Sequence, residues 1–315
     1  MVTTRAIGID LGGTNLRGAL VELGEGEATI LRQERRAVGE DRSPETVARA
    51  LAVLVRELSP GERLPVGVGI AAMLRGTTGV VANAPNLGWR DVPFARLAEA
   101  ELGQPVWLDN DVNVIVWGEQ RFGAARGKAD VLCVFGGTGV GAGAVCDGRL
   151  YRGAGNASLE LGHVKVVENG RACGCGARGC VEAYAGGRHL VEQVREQPSA
   201  VLLELVQGRL EALHAGHVDE AARRGDERAR GIIDEAARWL GLTLANAVTL
   251  FNPGCLLLGG TVWVGCPRLR EGTLGHFRRL VNVPALDGLN IADAVLGDDA
   301  GVLGAADLGR RELGR

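Results

Sequence analysis

One imidazole and three thiols fall within a short stretch of this chain: His163, Cys173, Cys175 and Cys180, with Gly174, Gly176 and Gly179 among the cysteines. Four soft donors at this spacing outline a Cys3His zinc site. Such a set closes a tetrahedron and leaves no position for water, so the metal would shape the loop rather than activate a nucleophile. Three unlinked buried thiols are the plainer alternative. A metal that fixed His163 would also fix Glu160, three residues earlier, and Glu182, two residues after the last cysteine. Carboxylates accept paired hydrogen bonds from vicinal hydroxyls, so a loop of this kind suits a polyhydroxylated ligand. An isolated glutamate at either place would otherwise be an exposed charge at a helix or strand end.

A second set of candidates is built on glycine. Leu11-Gly12-Gly13-Thr14-Asn15, Gly136-Gly137-Thr138-Gly139 and Gly259-Gly260-Thr261 each carry Gly-Gly-Thr. Glycine lets main-chain N–H groups approach oxygens closely and threonine adds a hydroxyl donor, so paired turns of this kind can hold a phosphate chain. A hairpin turn that needs positive φ accounts for any one of them taken singly. Asp10, beside the first turn, is placed to hold Mg2+ through water or to cap Gly12 or Gly13 in an Asx turn. Asp109, Asn110, Asp111 and Asn113 set four short polar side chains at the carboxyl end of a strand, where α/β sheets bind ligands. Asp111 reads there either as a plain helix N-cap or as a carboxylate that accepts a hydroxyl proton during phosphoryl transfer.

These residues belong to a chain of 315, long enough for two domains that each bury a core. A formal charge of −3 favours neither nucleic acid nor an anionic membrane. Lys128 and Lys165 are the only lysines, and neither precedes Ser or Thr, so no Walker A loop exists. No serine stands in a G-x-S-x-G context, which removes the usual nucleophile-elbow hydrolase. Gly139-Val140-Gly141 and Gly67-Val68-Gly69 loosely fit a dinucleotide fingerprint, but both continue as strand or loop where that motif opens a helix. Seven cysteines, an odd number mostly in apolar segments, speak for a reducing cytosol rather than a disulfide framework. The N-terminus is charged too early for a signal peptide, and the run Val131 to Cys146 is shorter than the ~20 residues that cross a bilayer. A soluble protein is expected.

The elements that must carry these residues follow from pattern. Ala6 to Asp10 and Leu16 to Glu22 read as strands of a glycine-tipped hairpin, and Asp130 to Phe135 with Val140 to Cys146 repeat it. Strands are expected at Val66–Ile70, Val106–Leu108 and Cys255–Leu258, and helices at Phe94–Leu102 and Asp111–Phe122. After the second hairpin the chain reads as strand-rich to about Val167. Helices then follow: Gly187 to Gln197, Ala200 to His214, a stretch from Asp219 to Phe251 divided at Gly225 and Gly241, and a closing amphipathic helix, Asp299 to Leu313. Recurrence of the hairpin at such a long period suggests two halves on one plan, in mixed α/β layers.

Taken together, these motifs resemble the ROK family of bacterial sugar kinases along nearly the whole chain. Asp10-Leu11-Gly12-Gly13-Thr14-Asn15 is similar to the family's first phosphate motif and Gly136-Gly137-Thr138-Gly139-Val140-Gly141 to its second. Asn252-Pro253 with Leu258-Gly259-Gly260 is similar to its adenosine-side segment. Pro85-Asn86-Leu87-Gly88-Trp89 and Asn110-Asp111-Val112-Asn113 resemble the sugar-side motifs, and the Glu160-to-Glu182 stretch resembles the zinc-and-sugar signature. The resemblance implies a two-domain actin-like (ribonuclease H-like) α/β fold with an interdomain cleft. It places the smaller domain at 1–117, joined by a helix at about 299–315, and the larger at 118–298, with the second phosphate motif, the zinc loop and the adenosine-side segment. It implies a cytoplasmic, ATP-dependent hexose kinase of the glucokinase type, acting in glycolysis, with structural Zn2+, with Mg2+ carried by ATP, and with no nucleic-acid or membrane partner. It further implies a homodimer or homotetramer. Asp111 would be the base; Asn86, Asn110, Asp111, Glu160, His163 and Glu182 would bind sugar. Asp10, Gly12, Gly13, Thr14, Asn15, Gly137, Thr138, Gly139, Gly259 and Gly260 would bind ATP. His163, Cys173, Cys175 and Cys180 would hold zinc. Repressors of the same family carry a helix-turn-helix ahead of the first motif, whereas nine residues precede Asp10 here. Two departures, Ala71-Ala72-Met73 for the usual Pro-Gly and Ala185-Gly186 for a common serine, bear on the choice of glucose over fructose, mannose or an N-acetylhexosamine. The choice of ATP over polyphosphate is likewise left open.

Overall fold

The computed structural model describes residues 3–314. Its strands are β1 (Thr4–Leu11), β2 (Asn15–Leu23), β3 (Ala28–Ala37), β4 (Val66–Ile70), β5 (Met73–Leu74), β6 (Val81–Ala84), β7 (Trp89–Val92), β8 (Val106–Asn110), β9 (Val131–Gly136), β10 (Val140–Cys146), β11 (Arg149–Tyr151), β12 (Cys255–Gly259) and β13 (Asn290–Asp293). Its helices are α1 (Pro44–Leu58), α2 (Phe94–Leu102), α3 (Asp111–Phe122), α4 (Glu182–Ala185), α5 (Gly187–Arg195), α6 (Ala200–Leu205), α7 (Ala215–Arg223), α8 (Glu227–Phe251), α9 (Thr261–Gly265), α10 (Pro267–Leu280) and α11 (Asp299–Leu313). The chain gathers into two units. One holds the residues up to Val131, Gly143–Leu159 and those from Ala294 on, and the other holds Leu132–Ala142 and Glu160–Asp293.

In the first unit, side-chain alternation decides which face of the sheet β3-β2-β1-β4-β8 meets which helix. Ile7, Ile9 and Leu11 of β1 join the core formed with Val47, Leu51, Leu54 and Leu58 of α1 and Phe94 and Ala98 of α2. The intervening Ala6 faces the other way, into a cluster with Val302, Leu303 and Ala306 of α11. Glycine is needed under that helix: a Cβ at Gly8 would overlap the Val302 carbonyl, and one at Gly67 the Ala305 carbonyl. β1 pairs antiparallel with β2 and parallel with β4, which pairs parallel with β8, so the carboxyl ends of β1, β4 and β8 lie along one edge. That edge carries Asp10, Ala71-Ala72 and Asp109-Asn110.

The second unit is mostly helical from residue 182 onward, and its strand β12 lies beside β9 and runs parallel with β13. The expected hairpins, the break at Gly225 and the closing helix stand where the pattern put them. Three expectations fail. Gly241 does not divide α8, because its missing side chain makes room for α10: a Cβ there would stand 2.8 Å from the Thr273 carbonyl oxygen and 3.0 Å from Phe277 N. The helix from Ala200 stops at Leu205, where Gln207 and Gly208 turn left-handed at φ 52° and 76°. Beyond β11 the strand-rich reading gives way to a loop with a 3-10 turn and isolated bridges, because the Cys/His segment folds on its own side chains. The first unit takes in more than the expected 1–117. α3 runs on unbroken to Phe122, and Gly143 lies close against Val116 of that helix, its Cβ position 3.0 Å from Cγ1.

Candidate active site

In the first unit the site is built around the start of α3. Asn110, not Asp111, is the N-cap: its side-chain oxygen accepts from Val112 N (2.9 Å) and Asn113 N (3.2 Å), while its amide donates to the Ala72 carbonyl (3.1 Å). This removes the plain capping role from Asp111, which stands at the first helical position with Oδ1 accepting from Val112 N at 2.9 Å. Burial above all, opposed by the Val112 N–H and reinforced by the charge of Asp10, pushes the Asp111 carboxyl up to about 7. A carboxylate so poised exchanges a proton near neutral pH, which is what a general base requires.

Asp10, at the end of β1, also has its carboxyl pushed up by burial, with Arg17, 4.0 Å away, acting in the opposite direction. It does not cap the first glycine turn, whose Gly12 N–H goes to the Asn15 carbonyl at 2.9 Å. Gly12, Gly13, Gly137 and Gly139 are all outside the left-handed region, so positive φ does not explain them. Close approach explains two. A Cβ at Gly13 would stand 2.6 Å from Asn86 Cβ, and one at Gly139 would overlap Glu182 Oε2. A Cβ at Gly137 would meet nothing within 4 Å, and one at Gly12 only the Asn15 carbonyl oxygen at 3.6 Å, so at these two positions the surrounding fold makes no demand for glycine. Thr14 and Thr138 are exposed at the tips of their turns. Their carbonyls are engaged, accepting from Val38 N (2.8 Å) and Arg188 N (3.0 Å). Asn86 is tied by its carbonyl to Arg42 (2.9 Å), and Trp89 of the same motif is buried with its indole N–H on the Arg42 carbonyl at 2.6 Å.

In the second unit His163, Cys173, Cys175 and Cys180 place their donor atoms within 4.8 Å of one another. His163 Nδ1 lies 3.7 Å from Cys173 Sγ, and Cys175 Sγ 3.7 Å from Cys180 Sγ. Tetrahedral Zn–S bonds of ~2.3 Å set sulfurs roughly 3.8 Å apart, so the four donors fit a zinc ion by spacing and by softness. The loop folds this way because Gly176 and Gly179 take φ 88° and 77°, and a Cβ at Gly179 would overlap the Val167 carbonyl. Lys165 Nζ stands 2.7 Å from Cys180 Sγ, a cation against the thiols that sequence reasoning passed over.

The same imidazole turns its other nitrogen outward. His163 Nε2 is 3.9 Å from Glu160 Oε2, whose carboxyl is pushed up by burial, lowered by His163 and raised by Glu182. Glu182 accepts from Val140 N at 3.0 Å, on the strand that leaves the second glycine turn, and its Oε1 lies 3.8 Å from Cys173 Sγ. The sequence-expected residues Gly139, Glu160, His163 and Glu182 are therefore neighbours around the thiol cluster. Gly260 needs its φ of 96°, and a Cβ there would overlap the Gly136 carbonyl, so the third glycine turn packs on the second. Asn252 ends α8 in the left-handed region at φ 44°.

Sequence reasoning also missed Arg152, Asn156 and Leu159. Arg152 Nε donates to Asp109 Oδ2 at 2.7 Å, and Asn156 meets the Asn113 amide at 3.3 Å. Leu159, a bulky residue at φ 61°, directly precedes Glu160. No local pattern marks these three. Left-handed asparagine is common enough that Asn156 among glycines was the nearest thing to a signal.

Residues 6–312 match the ROK family model. The Streptomyces coelicolor glucokinase is 35% identical over 312 residues, covering 96% of this chain and 97% of that one. The Thermotoga maritima glucokinase is 35% identical, with 100% of both chains covered. Among solved structures, a ROK family glucokinase from Streptomyces griseus in complex with glucose and AMPPNP superposes with a TM-score of 0.81 at 36% identity, covering 98% of this chain and 100% of that one.

Proposed function

The chain belongs to the ROK family, and from that premise we propose that it transfers the γ-phosphoryl group of ATP to the 6-hydroxyl of glucose. The observation that carries the reading is Asp111, a carboxyl poised at about 7 on the first turn of a helix and released from capping by Asn110. Asp111 accepts a hydrogen bond from the primary hydroxyl, orients it for in-line attack and takes its proton as the new O–P bond forms. Asn86 and Asn110 hold the sugar on the same side, and Glu160, His163 and Glu182 bind ring hydroxyls, the two glutamates as paired acceptors. The main-chain groups of Gly12, Gly13, Gly137 and Gly139, with Thr14, Asn15 and Thr138, cradle the phosphates. Asp10 faces the Mg2+ that comes with ATP, and Gly259-Gly260 border the nucleoside.

His163, Cys173, Cys175 and Cys180 would hold a structural zinc, which would tie the loop so that Glu160, His163 and Glu182 keep their mutual geometry. The open space at Gly12 and Gly137 supports phosphate binding there. Seven cysteines, an odd number mostly in apolar segments, support a cytoplasmic protein, and glucose phosphorylation would place it in sugar catabolism. The proposal extends to a homodimer or homotetramer, the state that the family resemblance implies. ADP release from Mg-ATP, measured with glucose, fructose, mannose, N-acetylglucosamine and N-acetylmannosamine, tests the proposal. A dominant glucose rate is expected. Preference for another hexose would change the substrate and keep the mechanism, whereas silence with every sugar, and with polyphosphate as donor, would overturn it.

A further inference from the structure

Asp109 is a carboxylate with 0% exposure, one residue before the candidate sugar contact Asn110 and two before the base. Both of its oxygens are used. Oδ1 accepts from Asn110 N (2.9 Å) and from the Asn113 amide (2.8 Å), and Oδ2 accepts from Arg152 Nε (2.7 Å). The Asn113 amide also reaches Asn156 Oδ1 at 3.3 Å, and the Asn156 amide donates to the Gly76 carbonyl at 3.1 Å. Arg152 lies over the Trp107 ring at 5.6 Å and turns its Nη2 toward Glu312, 3.9 Å away. A buried ion pair adds little to stability compared with an apolar pair of the same volume. What it does supply is fixed geometry, and here every fixed atom belongs to the turn that carries Asp111. The first turn of a helix has unpaired N–H groups and frays readily. In this chain it is clamped from below by Asp109 and Asn113, which are held in turn by residues 43 positions further on.

We propose that Arg152 and Asn156 are positioning residues for Asp111, acting through Asp109 and Asn113; this rests on the kinase reading above. Neither is among the residues proposed above to bind sugar or nucleotide. Their work is to keep the α3 N-terminus rigid, because a misplacement of about 1 Å at a reacting group costs on the order of 100-fold in rate. Removing either should therefore slow the chemical step while leaving the affinity for sugar almost unchanged.

The test compares the parent with Arg152→Ala and Asn156→Ala by steady-state kinetics, with circular dichroism and active-site titration to count folded enzyme. Expected are a 10- to 100-fold fall in kcat for Arg152→Ala and about tenfold for Asn156→Ala, with the sugar KM within threefold in both. Guanidinium ion at millimolar concentration should restore part of the Arg152→Ala rate by refilling the position opposite Asp109. A merely structural role would reduce the folded fraction without rescue. Should Arg152→Ala fail to fold because it strands a buried charge, Asn156→Ala, which removes neutral hydrogen bonds and strands no charge, decides the matter. A kcat within twofold of the parent in folded Asn156→Ala, or kcat and KM moving together without guanidinium rescue, would overturn the proposal. A parent enzyme silent toward every sugar would instead sink the kinase reading on which it stands.

Discussion

Replacing Asp111 by asparagine separates what this residue does for catalysis from what it costs the fold. Its carboxyl is held at about 7 against an ordinary 3.8, mainly by burial, so the folded chain binds that proton more tightly than the unfolded chain. The sign follows directly. The stabilising effect is fully present below about pH 4, falls as the unfolded chain ionises, and is gone above about pH 7. The whole shift corresponds to about 4 kcal/mol, which partial solvent access brings to about 2 to 4 kcal/mol. Asparagine cannot ionise. Asp111→Asn should therefore be more stable than the parent by this amount at pH 8, less about 0.5 kcal/mol for the lost charge at a helix N-terminus, and nearly equal to it at pH 4. Urea denaturation at pH 4, 6 and 8 reads the difference. Over the same range the parent's kcat/KM should rise toward alkaline pH with a midpoint near 7, and the variant's kcat should be lower by about 100- to 10,000-fold. A stability difference that does not change with pH, or an acid limb near pH 4, would refute the account of Asp111 as a burial-tuned base.

Other outcomes follow from single contacts. Cys175→Ser should release bound zinc and raise the sugar KM; metal analysis still finding one zinc per chain would contradict the four-residue ligand set. Glu119→Ala should destabilise the protein by about 3 kcal/mol or more in urea titration, since this buried carboxylate accepts from the N–H groups of Ala124 (2.9 Å) and of Val295 and Leu296 (both 2.8 Å). Gly137→Ala has free space for its methyl and should melt like the parent while the KM for ATP rises; Gly139→Ala should disturb the sugar side through Glu182. An unchanged ATP KM in Gly137→Ala would remove that turn from the phosphate site.

Most of the candidate site was legible because its chemistry is local. Cys173, Cys175, Cys180 and His163 announce themselves by spacing, and each Gly-Gly-Thr turn is a contiguous word. What could not be read depends on residues distant in the chain. Arg152 matters only because Asp109 lies beside it, and Gly241 reads as a helix break until α10 is seen packed against it. The left-handed Leu159 is the extreme case, since leucine is among the residues least suited to that conformation and only its surroundings impose it. Asp111 was half legible: a polar cluster at a strand end pointed to it, but only the hydrogen bonds of Asn110 show which residue caps the helix.

The place of α11 bears on how the molecule is made. The helix buries Ala300 to Gly309 against β1, β4 and α3, and the carbonyls of Val302 and Ala305 sit directly on Gly8 and Gly67. The opening strands of the chain thus wait for α11, a helix synthesised long after them. During synthesis the helical unit emerges complete while the first sheet still exposes the bare glycine face that α11 will cover. A nascent chain halted before residue 299 would carry that face uncovered, an invitation to chaperones or to aggregation.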